Sequence, residues 1–187
     1  MSRAIGRVLR RLEGLRSSQP NVQFTYRDTG ASRVAEQLEQ LGQLSLTIGY
    51  QGATALTLYD RGNVNVATVA LYQEFGTQTI PARPFMRRSV RENLNELQQE
   101  IGEAFAGVAR LEQTAISAMD SIGRWMAERM AEAIDTAPTW AVPLAPSTVA
   151  KKGHADPLFE TGLMRESISW AVRTGGPMGS VIREGSL

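Results

Sequence analysis

The chain has 187 residues, 42% of them apolar and 21% charged, with a formal net charge of +1 and no cysteine. These values fit one domain with a hydrophobic core, and they exclude disulfides, thiolate chemistry and cysteine-ligated metals. A near-zero net charge sets up no global field that demands a nucleic-acid partner, and no apolar run approaches the roughly 18–20 residues needed to span a bilayer.

The charge is uneven along the chain. Residues 1–16 carry Arg3, Arg7, Arg10, Arg11 and Arg16 against one acid, Glu13. No apolar segment of the secretory kind accompanies these arginines, so a signal peptide is not expected. Ile5, Val8, Leu9, Leu12 and Leu15 recur at helical spacing among them, which predicts a basic amphipathic helix over 3–16. The expected organisation is this helical unit over 1–20 and a single α+β domain over 21–187. The arginines either meet water or face a phosphate backbone or the acids of a neighbouring subunit, because guanidinium pairs with both. Arg3, Arg7, Arg10 and Arg11 are the candidate contacts.

Pro20 stops that helix. Val22–Arg27 alternates strictly and predicts a half-buried strand. A helix follows from an N-cap at Ser32 through Val34, Leu38 and Leu41 to Gly42. Leu44–Tyr50 alternates again, with Leu44, Leu46, Ile48 and Tyr50 on one face. A turn at Gln51–Thr54 is expected to lead into a second strand over Ala55–Asp60, and Val64–Gly76 reads as strand, then helix.

From Phe85 the pattern becomes regular. Val90, Leu94, Leu97, Ile101, Ala104, Val108, Leu111, Ala115, Ala118, Ile122 and Trp125 alternate spacings of four and three. This predicts one long helix or a helical hairpin over about 85–135 with a narrow apolar seam. Unbroken, it would be roughly 75 Å long, more than the diameter of a compact domain of this size. Gly102, Gly107 and Gly123 each cost about 1 kcal/mol against alanine in a helix, so a bend near Gly107 is expected. Part of the seam would still lack a partner within one copy, which points to subunit contacts. Beyond Asp135, Thr136–Pro146 reads as an extended connection. Ser147–Gly153 suits a short helix ended by glycine. Thr161 caps another through Ser167. Ile168, Trp170 and Val172 alternate as a strand, and Ser180–Arg183 returns beside it after a turn. The fold class is α+β: a small mixed or antiparallel sheet with short helices and one long helix or helical hairpin.

No metal, cofactor or catalytic set is expected. A zinc site needs three or four N, S or carboxylate ligands, and His154 is the only histidine. There is no phosphate-cradling glycine loop and no G-x-S-x-G elbow. Glu92, Glu96, Glu100 and Glu103 share a helical face and read as a solvated flank of the seam. Nothing in such a ladder pushes the carboxylates' pKa values apart, as acid–base catalysis requires. Arg83, Arg87, Arg88 and Arg91 cluster at the start of the long helical segment. A helix N-terminus disfavours cations, so an anionic partner is expected there, either glutamates of a neighbouring subunit or DNA.

The segment YQEFGT…IPARPFMRRSV, Tyr72–Val90, resembles the "aromatic-x-E-F-G-T, then I-P-A-R-P-F" signature of tail-completion and neck proteins of long-tailed bacteriophages. PLAPSTVAKKG (Pro143–Gly153) and PLFETGLMRESI (Pro157–Ile168) resemble the second block of the same group, which includes the minor tail protein Z-like and virion-morphogenesis proteins. About half of the chain is covered, with the blocks in the expected order. Gln73 stands where asparagine or histidine is common, and Met164 where leucine is usual. Within the first block, Gly76 ends one element, and Pro81 and Pro84 restrict the connector, with Pro84 suited to a helix's first turn.

The resemblance implies a structural virion protein rather than an enzyme. Such a protein completes the tail or joins tail to head as a homo-oligomeric ring, a hexamer, around the DNA path. Its expected neighbours are a tail terminator, a head–tail connector or a tape measure protein, and it would be assembled in the host cytoplasm. The expected subunit-interface residues are Tyr72, Glu74, Phe75, Arg83 and Phe85 at the hinge, Arg87, Arg88 and Arg91 on the helix, and Thr161, Arg165 and Ser167 in the second block. One alternative is a DNA-binding module using the basic N-terminal helix. Another is a hydrolase built around His154.

Overall fold

A computed structural model describes residues 30–59 and 63–187. The basic helix predicted over 3–16, with Arg3, Arg7, Arg10 and Arg11, and the strand predicted over 22–27 lie outside the described residues. Helix α1 spans Ala31–Gln43 and buries Leu41. It runs directly into strand β1, Leu44–Gly49. One helical turn, α2, follows at Gly52–Ala55. Among the described residues, the strand expected over Ala55–Asp60 is reduced to a single antiparallel bridge between Leu58 and Asn65. Asn65 instead caps helix α3, Val66–Phe75, by accepting from the Thr68 N–H at 2.9 Å. That short side chain satisfies an orphan N–H of the first turn, so the helix starts where the sequence suggested a strand.

The segment over 85–135 is a hairpin in three pieces: α4 (Phe85–Glu92), α5 (Leu94–Ala109) and α6 (Ala115–Asp135). Asn93 separates α4 from α5. Its Nδ2 donates to the Ser89 carbonyl, the acceptor also used by its own N–H. The chain reverses over 110–114. The Glu112 N–H bonds the Gly107 carbonyl, and the Gln113 side chain donates to the Ala104 carbonyl at 2.9 Å. Thr114 caps α6, and the α6 N–H at Ala115 donates to Gln37 of α1. Folding back closes the middle of the seam on itself. Ala104 and Val108 pack against Ala118 and Ile122, with Leu97 and Ile101 partly buried beside them. The expectation that the seam lacks a partner within the chain is therefore corrected for its central part. The exceptions are its start, where Val90 and Leu94 are 42% and 47% exposed, and Leu111 at the reversal, which is 36% exposed.

Helix α6 is the spine. Met126, Ala127, Met130, Ala131 and Ile134 enter the main core with Val66 and Ala70 of α3, Phe85 of α4, Leu158, Met164 and Ile168. Short helices α7 (Ala137–Trp140), α8 (Pro146–Lys152) and α9 (Leu163–Glu166) follow. Thus α7 occupies the start of the connection read as extended. Gly153 ends α8 at φ 82°, a left-handed cap that suits glycine. Strands β2 (Ser169–Thr174) and β3 (Ser180–Ser186) complete an antiparallel sheet in the order β1-β2-β3. Leu46 faces Val172 and Ile48 faces Trp170 across β1 and β2. The predicted α+β class, with a small antiparallel sheet, short helices and a helical hairpin, is the observed architecture.

Trp170 shows why α6 can lie so close to the sheet. A Cβ on Gly123 of α6 would stand 2.5 Å from its ring, and one on Gly185 of β3 would stand 2.3 Å from it. The indole thus fills the space two glycines leave, and its N–H donates to Asp120 at 2.8 Å.

Candidate docking hinge

Helix α3 carries two unlike faces. Val66, Ala70 and Glu74, four residues apart, point inward. Leu71, Tyr72 and Phe75 point outward, with Leu71 54% and Phe75 63% exposed. Gly76 then turns the chain at φ 76°. A Cβ there would stand 2.9 Å from the Ala82 nitrogen and 3.0 Å from the Ile80 oxygen, so only glycine lets the following loop fold back this closely. The Thr77 hydroxyl accepts from the Thr79 and Ile80 N–H groups, and the Arg83 N–H reaches the Gln73 carbonyl.

Two buried polar side chains lock this hinge. Glu74 is 2% exposed. Its carboxylate accepts from the Met86 N–H at 2.9 Å, the Arg87 N–H at 3.1 Å and the Arg87 Nε–H at 2.8 Å. Pro84 stands just ahead of α4 and offers no side-chain cap. Glu74 therefore supplies the negative charge that the N-terminus of α4 favours. At this arginine-rich helix start the same chain supplies an anion to Arg87, as Glu74, and to Arg88, as Glu92, while Arg91 makes no ion pair among the described residues. Arg83 is 4% exposed. It donates to the Val142 carbonyl at 2.7 Å, the Gln73 side chain at 3.0 Å and the Pro143 carbonyl at 3.3 Å. Burial pulls its pKa below the usual guanidinium value. This one residue ties the first motif block to the connection that opens the second.

The expected interface residues thus divide. Glu74, Arg83, Phe85 and Ser167 are buried, so the expectation that their side chains meet a neighbour is corrected. Phe85 is fully enclosed and meets Tyr50 edge-on at 6.3 Å. Arg165 is held on both oxygens of Asp135 at 2.9 Å. Arg88 pairs with Glu92 at 2.6 Å and lies over the Trp140 ring. Tyr72, Phe75, Arg87, Arg91 and Thr161 are exposed. Arg87 also stacks over Phe75 at 5.0 Å, joining the outer face of α3 to α4. Thr161 accepts from the Leu163 N–H at 3.3 Å.

Sequence reading missed Leu71 as an outward residue and Gln73 as the partner of Arg83. A signal for the first was present. Val66, Ala70 and Glu74 form the inner row at helical spacing, which leaves Leu71 and Phe75 on the other side. The second had none, because Gln73 meets Arg83 only once the Gly76 turn folds the chain back and Val142 and Pro143, about sixty residues on, close over the guanidinium.

A cleft of about 190 Å³ lies beside the hinge, lined by Tyr59, Val69, Gln73, Lys152 and Phe159 among others. Burial pulls the Lys152 ammonium pKa down, and burial with Glu160 nearby pushes the Tyr59 phenol up to about 12. Lys152 donates to the carbonyls of Asp156 and Phe159. His154 accepts at Nδ1 from the Asp156 N–H at 3.3 Å and meets the Phe159 ring edge-on. Among the described residues no group of three or more His, Asp or Glu side chains is placed to hold a metal ion, and no helix is long and apolar enough to cross a membrane.

Comparison of the chain with protein-family models, with curated proteins and with solved structures returns no match.

Proposed function

We propose that this chain is a structural subunit of a phage neck or tail end. It completes the tail or joins tail to head by assembling into a ring around the DNA path. The resemblance of both motif blocks supports the reading. The structural observation that carries it is the outward row Leu71, Tyr72 and Phe75, mounted on a hinge that the buried Glu74 and Arg83 side chains hold rigid. Aromatic side chains on a preorganised support suit association, because little freedom is lost when a partner covers them. The work required is association energy repeated at each interface of a cyclic assembly, with no covalent step.

The test is composition and assembly of particles from the virus that encodes the chain. The protein is expected in purified virions by mass spectrometry, at a fixed small copy number. Deleting it is expected to leave heads and tails that do not become infectious particles. Normal particles assembled without it would overturn the reading.

A further inference from the structure

The exposed row continues beyond α3. Through the Arg87–Phe75 stack it passes onto α4 and the start of α5, where Arg87, Val90 and Arg91 of α4 and Leu94 of α5 follow at spacings of three and four residues. Arg91 is exposed and makes no ion pair among the described residues. Helix α5 carries a different face. Glu96, Glu100 and Glu103 stand at i, i+4 and i+7, with Glu96 and Glu103 exposed and Glu100 half-buried. None of the three forms an ion pair among the described residues. Like charges four apart on a helix repel. Glu74 already offsets Arg87, while Arg91 and the glutamate row stay locally unfavourable until an opposite charge meets them.

The chain cannot bring the rows together by itself. At about 100° per residue the glutamate row lies about 150° around the helix from Leu94. One side of the arm is apolar with arginines, the other acidic, and they point apart. A partner that satisfies both must present the complement of each, and a second copy of this chain does so. A duplex phosphate backbone would suit the arginine side alone and be repelled by the acidic one.

We propose that Glu96, Glu100 and Glu103 of one copy dock on the Arg87–Arg91 strip of the next, head to tail, with Val90, Leu94 and Phe75 supplying the apolar centre. Arginine and aromatic residues at the centre with charges around them is the composition of energetically important interface patches. Two different patches in contact make a heterologous interface, which closes into a ring when its rotation divides a full turn. The inference rests on the ring reading above and names its interface.

The test uses two full-length variants, Arg91→Glu and the pair Glu96→Arg, Glu103→Arg. All three positions are exposed, so thermal unfolding of either variant should match the parent. Sedimentation velocity over a concentration series reads assembly. The parent is expected to self-associate, and each variant alone to weaken by about tenfold or more, since like charges face each other across the contact. An equimolar mixture of the variants is expected to regain assemblies larger than a dimer, because each changed face then meets its complement. A parent that stays monomeric throughout, variants that associate like the parent, or a mixture that recovers nothing would each overturn this interface. A chain found in virions but indifferent to these changes would keep the proposed function and lose the interface.

Discussion

At the scale of single residues, the decisive groups are polar and buried. The Glu74 carboxylate, itself shut off from water, accepts from two backbone N–H groups and from the Arg87 guanidinium. Glu74→Ala leaves those donors without their acceptor and is expected to lower unfolding free energy by about 2–4 kcal/mol, read from urea midpoints. Arg87→Ala should cost only about 0.5–1 kcal/mol, because its side chain is largely in water and the backbone donors keep the carboxylate. Two tyrosines give a pH dependence of known sign. Burial raises the Tyr50 phenol well above its ordinary value, Tyr59 and Glu74 adding to the effect. Burial and Glu160 raise Tyr59. Both folded pKa values exceed the unfolded value near 10. Stability is then intact below about pH 10 and falls as pH climbs toward the folded values, by up to about 1.4 kcal/mol per pH unit for the buried Tyr50 phenol and by less for the partly exposed Tyr59. Tyr50→Phe with Tyr59→Phe is expected to flatten that alkaline loss in urea titrations. Tyr50→Phe alone should be nearly neutral at pH 7, since the hydroxyl is buried with no hydrogen-bond partner among the described residues.

At the scale of elements, three helical glycines that look alike in sequence separate sharply. Gly102 on α5 has open space where a Cβ would go. Gly102→Ala is expected to stabilise by about 0.5–1 kcal/mol, the ordinary helix preference, and to raise the thermal midpoint. Gly123→Ala should do the reverse, because the new methyl meets the Trp170 ring at 2.5 Å while α6 and β2 are fixed by the rest of the core. Gly107 lies in the last turn of α5, and the reversal begins within three residues of it. Periodicity identifies α1, β1, β2, β3, the later part of α3 and the helical character of α4 through α6, because alternation and 3.6-residue spacing are written locally. It failed over Ala55–Asp60. There the alternating Leu56 and Leu58 stay exposed and find one bridge instead of a ladder. A strand pattern makes a strand only where a neighbouring strand supplies its hydrogen bonds.

At the scale of the molecule, the hairpin decides how much apolar surface is left over. Its closure buries Ala104, Val108, Ala118 and Ile122 of the seam, leaving an exposed strip from Leu71 and Phe75 to Val90 and Leu94. If that strip and the glutamate row meet between copies, association should weaken as salt rises, because the pairs lie at a solvated rim. It should not vanish, because the apolar centre remains. A salt series in sedimentation velocity checks both. Binding of duplex DNA with a steep inverse salt dependence, abolished by Arg7→Glu with Arg10→Glu, would favour the N-terminal arginines as a second contact.

By itself the sequence determined the periods: which stretches coil, which extend, and where glycine and proline interrupt them. It also marked the Tyr72–Phe85 hinge as an ordered unit, since Gly76, Pro81 and Pro84 restrict the backbone wherever they stand. Only the tertiary structure decided which way the hinge residues point. Glu74 and Arg83 look like surface charges in one dimension and are interior locks in three, because their partners at Met86, Val142 and Pro143 arrive only when α4 and the later connection fold against α3. The physical reason is that helical spacing fixes which residues share a face, while burial depends on which other element comes to cover that face.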